Sequence, residues 1–115
     1  MPTEPPLVEL LWWEGCPSWK ETLADLEAAM SAVGLNPDDV VVREIDDHAR
    51  AEQVGFVGSP TIRVDGRDVL PPDESEPPGL TCRVYFLRDG RVSPTPDPAD
   101  LREALQRARA ATART

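Results

Sequence analysis

Short apolar runs and one long stretch of helical spacing follow one another along the chain in the order strand, helix, strand, helix. Leu7 to Trp13 (LVELLWW) is almost continuously apolar, as a short strand covered on both faces should be, and Gly15 and Pro17 punctuate its end. Trp19, Leu23, Leu26, Met30 and Val33 then recur at spacings of three or four. With Pro17 suited to a first helical position and Gly34 to a stop, the spacing predicts a helix over Pro17 to Val33. After an Asn36-Pro37 turn, Val40 to Ile45 (VVVREI) reads as a β-branched strand. Asp46 is then the candidate N-cap of a short helix that ends at Val54, before Gly55. A crossover this long predicts a parallel pair of strands with the helix on one sheet face. The apolar character of the first strand places it at the sheet's centre.

In the second half the periods shorten. Thr61 to Val64 alternates as a strand, Asp65-Gly66 is a two-residue hairpin signal, and Arg67 to Leu70 is short enough to be the returning strand. Pro71 to Gly79 (PPDESEPPG) has neither periodicity nor apolar content and is expected to be a solvated loop. Strand character resumes over Thr81 to Leu87 (TCRVYFL), Asp89-Gly90 is a second turn signal, and Asp97-Pro98 opens a helix with Leu101, Ala104, Leu105 and Ala108 on one face. The expectation is one α/β domain over residues 1–115, built on a mixed four-to-five-stranded sheet with helices on both faces. Its ends, residues 1–6 and 111–115, are expected to be flexible.

Charge removes several function classes. Lys and Arg number 12 against 21 Asp and Glu, a formal net charge of −9 that repels nucleic acid and anionic membrane, and no basic stripe interrupts it. The start, MPTEPPL, lacks the basic region of a secretory signal, and the longest apolar run is too short to span a bilayer. A cytoplasmic protein is expected. The two cysteines, Cys16 and Cys82, cannot staple a small secreted domain, and in a reducing compartment they should rest as thiols. His48 has no second histidine with which to build a zinc site, and no cofactor is expected.

Chemistry therefore centres on Cys16, in EGCPSW, at the junction of the first strand and the first helix. Free N–H groups and the positive dipole end at a helix start favour thiolate, the form that attacks disulfides and ligates soft metals. Desolvation by Trp12, Trp13 and Trp19, together with the charge of Glu14, opposes it. Packing is the commoner role of a cysteine, but the junction favours function for Cys16. Trp13 and Trp19 could shape a substrate pocket beside the thiol, and Arg83, next to Cys82, could steady a thiolate or receive an anionic substrate.

The βαβα order, the cysteine at its first junction, the turn Ser59-Pro60-Thr61 entering the next strand, the hairpin and the closing helix together resemble the thioredoxin-like fold over nearly the whole chain. That resemblance implies a cis Pro60 facing Cys16, backbone groups of Ser59 that pair with a bound peptide, and thiol–disulfide chemistry. The family's C-x-x-C is absent, because CPSW carries Trp19 where the second cysteine would stand. Cys82 can replace it if the chain turns back at Asp65-Gly66 and begins its loop at the Cys16 end. In a second register, Val84 to Leu87 pairs directly with the third strand and Cys82 lies at the far end of the sheet. The Asp-Gly turn favours the first.

TCRVYFL, with the turn and helix after it, also resembles the C-terminal part of organomercurial lyases. By that resemblance Cys16 and Cys82 would be metal ligands for a soft metal or an organomercurial. The lyases carry an acid three residues after their first cysteine; here that position is Trp19, so metal binding is implied and lyase activity is not. Three readings follow. One is a thiol enzyme using Cys16 with Cys82 as partner on a thiol- or disulfide-bearing protein or small molecule. The others are a soft-metal binder and a binding domain with inert thiols.

Overall fold

The computed structural model describes residues 6–71, 75 and 77–113. Its elements are β1 (Val8–Trp12), α1 (Trp19–Ala32), a 3-10 turn (Pro37–Asp39), β2 (Val41–Glu44), α2 (His48–Val54), β3 (Thr61–Val64), β4 (Arg67–Asp68), β5 (Tyr85–Phe86), β6 (Val92–Ser93) and α3 (Pro98–Ala113). Parts of the expected flexible ends and of the expected 71–79 loop lie outside the described residues. No helix among the described residues is long and apolar enough to cross a membrane.

Four strands form one mixed sheet in the order β2-β1-β3-β4, with β1 parallel to β2 and antiparallel to β3. The pleat sends alternate residues of β1 to opposite faces. Val8 and Leu10, opposite Val64 and Ile62 of β3, pack with Leu26, Ala29, Met30 and Val33 of the α1 region and with Leu101 and Leu105 of α3. Leu11 points the other way and packs with Ile45, Ala51 of α2, and Phe56. Helices thus cover both faces, and β1 is interior as its composition predicts. β2 is not interior: it forms the sheet edge, and its side chains are mostly exposed, so the Val40–Ile45 run signalled a β-branched strand without signalling burial.

Element ends follow local chemistry. Gly34, with φ of 83°, closes α1: its N–H reaches the Ser31 carbonyl at 3.2 Å and the Leu35 N–H reaches that of Met30 at 2.8 Å, a Schellman arrangement. At the other end α1 begins at Trp19 after Ser18, two residues later than expected, which leaves Cys16 and Pro17 in the turn that enters the helix. The cap of α2 is Asp47 rather than Asp46, its carboxylate accepting the Arg50 N–H at 2.6 Å. Asp65 and Gly66, with φ of 52° and 83°, make the tight turn between β3 and β4.

The expected Thr81–Leu87 strand does not join the main sheet as a fifth strand. β5 pairs only with β6, in a separate two-stranded ladder. Upstream of it an isolated parallel bridge joins Cys82 to Ser59. The register in which Val84 to Leu87 pairs with β3 is excluded, since β3 is flanked by β1 and β4.

Candidate functional site

The site lies where β1 ends and β3 begins. The Cys16 N–H closes a turn onto the Trp13 carbonyl at 3.0 Å, which folds Cys16 beneath the end of β1. Ser59, wholly buried, ties this turn to the next strand by accepting the Trp13 N–H on its Oγ at 3.0 Å. Ser59-Pro60 is a cis peptide bond, as the resemblance implied, and Pro60 is buried.

Cys82 reaches Cys16 from the far side of the chain. The two residues are 66 positions apart, their sulfurs are joined, and their Cα atoms lie 5.6 Å apart, inside the span a disulfide tolerates. Neither cysteine stands apart: the two sulfurs lie in bonding contact. The two residues differ in exposure. Cys16 is only 2 % exposed, whereas Cys82 is solvent-exposed.

Segment 81–83 is held independently of the sulfur bond. Ser59 donates its N–H to the Thr81 carbonyl at 2.8 Å and accepts the Arg83 N–H at 2.9 Å. The backbone groups of Ser59 that the resemblance reserved for a bound peptide are thus occupied by the chain itself. Arg83 is tied into the fold. It is 7 % exposed, and its guanidinium donates to Asp68 Oδ2 at 2.6 Å, to Thr61 Oγ1 at 3.3 Å and to the Leu70 carbonyl, while lying over the Tyr85 ring. Its charge is paired inside the fold, and it braces the residue next to Cys82. Tyr85 donates its O–H to the Pro60 carbonyl at 2.5 Å; burial pushes its phenol well above the ordinary range, offset in part by the Arg83 charge. Gly58, with φ of 137°, allows the approach, since a Cβ there would lie 3.1 Å from the Arg83 nitrogen.

Of the residues singled out by sequence, Cys16, Cys82, Ser59 and Pro60 come together. Trp13 folds over Gly15, packs with the Leu11 and Phe56 cluster, and is half-buried. Trp19 stacks on Trp12 with ring centroids 4.1 Å apart, and the two line a separate cleft with Pro17 and Lys20. Cys16 is not in that lining, so the tryptophans support the turn more than they form a pocket around the thiol. The dipole of α1 acts at one remove, because Cys16 precedes the cap Ser18. Asp68, Tyr85 and Gly58 were missed; only the glycine two residues before Pro60 offered a local signal.

Among the described residues no three or more His, Cys, Asp or Glu side chains converge as a metal cluster, so a soft-metal site would rest on the two sulfurs alone. No protein-family model matches the chain, and neither the curated proteins nor the solved structures contain a match to it.

Proposed function

We propose that the chain is a thioredoxin-like thiol–disulfide exchange protein that cycles Cys16 and Cys82 between disulfide and dithiol. The observation that carries this reading is the meeting of two distant cysteines, Cα atoms 5.6 Å apart, at a strand end beside a cis X-Pro bond. One of the two cysteines is an exposed residue, and access is what an exchange partner requires and a purely structural crosslink does not. The net reaction is the transfer of two electrons: two substrate thiols become a disulfide as the protein's disulfide becomes two thiols, or the reverse.

Equilibration of the folded protein with glutathione buffers of graded ratio tests this. The expected result is a reversible transition between disulfide and dithiol within the span accessible to glutathione. Wild-type protein should also accelerate exchange between a peptide disulfide and dithiothreitol, and both Cys16→Ser and Cys82→Ser should lose that acceleration. A disulfide that resists millimolar dithiothreitol in the folded state, or a wild-type rate equal to that of the double serine variant, would overturn the proposal.

A further inference from the structure

We infer that Cys82, not Cys16, is the sulfur that meets the substrate, and that the apolar stripe leading away from it takes a polypeptide cysteine flanked by apolar side chains. The inference rests on the exchange reading above.

Thiol–disulfide exchange is an in-line displacement at sulfur, so the first requirement is access. Cys16 is shut in at 2 % exposure, while Cys82 is open and lines a cleft of about 700 Å³ to which Cys16 does not contribute. Beyond Cys82 the chain alternates. Arg83 and Tyr85 turn inward, and Cys82, Val84 and Phe86 turn outward. Val84 is 58 % exposed, Phe86 65 % and Val92, paired with Phe86 across the hairpin, 67 %. Among the described residues of the C-terminal half these three are the large exposed apolar side chains, and they follow the exposed Cys82 on its own face.

The stripe also sets the size of the occupant. At about 3.3 Å per extended residue, Cys82 to Phe86 spans roughly 13 Å, longer than a low-mass thiol but matched by a few residues of extended polypeptide. Apolar surface left open in this way is the mark of a contact site.

The step balances within these groups. A substrate thiolate attacks Sγ of Cys82, the Cys16–Cys82 bond breaks, and Cys16 leaves with the bonding electron pair as a thiolate that takes up a proton from water. A second substrate thiolate then attacks the substrate sulfur of the mixed disulfide. This releases the substrate as a disulfide and Cys82 as a thiolate. In the reverse direction Cys82 is the attacking thiolate and Cys16 the buried resolving thiol.

Two amidated peptides, one with cysteine flanked by phenylalanine and one with cysteine flanked by glycine, are reacted with oxidised wild-type protein. The mixture is quenched with an alkylating agent and the adducts are mapped by mass spectrometry. The expected result is peptide on Cys82 with Cys16 alkylated. The phenylalanine peptide should react about tenfold faster, the equivalent of partial burial of one aromatic side chain. In Phe86→Ser, an exposed substitution, that preference should vanish. Peptide on Cys16 would overturn the assignment of the entry sulfur and leave the exchange reading standing. Equal rates for both peptides, or a preference unchanged in Phe86→Ser, would overturn the stripe. If neither peptide forms an adduct and the disulfide stays closed, the exchange reading falls and takes this inference with it.

Discussion

Arg83 and Asp68 meet at 2.6 Å one residue beyond Cys82, with the arginine side chain almost wholly out of solvent. Together with the Ser59 hydrogen bonds, this pair braces the residue next to Cys82 apart from the sulfur contact. Removing one partner leaves the other charge buried, so Asp68→Ala should cost about 3 kcal/mol of folding stability in urea titrations. It should also loosen segment 81–83 and shift the glutathione equilibrium towards dithiol by about tenfold, ~30 mV. Asp68→Ala with an unchanged equilibrium would mean that the pair stabilises the fold without positioning Cys82.

Tyr85 adds a pH dependence of definite sign. Its phenol is raised above the ordinary 10.0, first by burial, so the folded state holds the proton more tightly than the unfolded chain. The associated stability is fully present below pH 10 and is lost as the pH climbs towards the raised value, at up to about 1.4 kcal/mol per pH unit. Tyr85→Phe should therefore lower stability at neutral pH by about 1 kcal/mol, through the lost bond to the Pro60 carbonyl, and flatten the alkaline slope. Denaturant unfolding between pH 8 and 12 measures both, and an unchanged alkaline slope in Tyr85→Phe would assign the dependence to another group.

The parts of this site legible in sequence are those with local causes. Asp65-Gly66 announces its own turn because both positions need positive φ, and that turn returns the chain to the Cys16 end. The buried pairing of Arg83 was illegible because its partners, Asp68 and Leu70, stand 15 and 13 residues away, beyond any local pattern. The exposure of Val84 and Phe86 was equally illegible: strand character over Thr81 to Leu87 did not show that only Tyr85 and Phe86 enter a ladder, with only its Tyr85 face covered. The shift from Asp46 to Asp47 at the α2 cap has a simpler reason: adjacent aspartates offer the same side chain, and backbone geometry chooses between them.

Thr22, inside α1, is wholly buried, and its hydroxyl has no hydrogen-bond partner. Leaving a hydroxyl unmatched away from water costs folding energy, whereas valine fills nearly the same volume without that group. Thr22→Val should therefore stabilise the protein by about 1 kcal/mol and leave the disulfide equilibrium unchanged. A stability loss by thermal or urea unfolding would show that the hydroxyl is satisfied in solution.

Gly58 separates close packing from backbone conformation as the means of seating Cys82. Both Gly58, φ 137°, and Gly66, φ 83°, adopt conformations that side-chain-bearing residues resist. They differ in their surroundings: a Cβ on Gly58 would press on the Arg83 backbone at 3.1 Å, whereas one on Gly66 would meet nothing within 4 Å. Each alanine substitution should lower stability by about 1 to 3 kcal/mol through backbone strain. Only Gly58→Ala should push segment 81–83 off Ser59, raising the exchange rate of the Arg83 amide with deuterium and shifting the glutathione equilibrium towards dithiol. Gly66→Ala, at the far turn, should leave both readouts at wild-type values. Equal shifts in the two variants would trace the effect to general destabilisation, and the close approach of Gly58 to Arg83 would lose its role in holding the pair together.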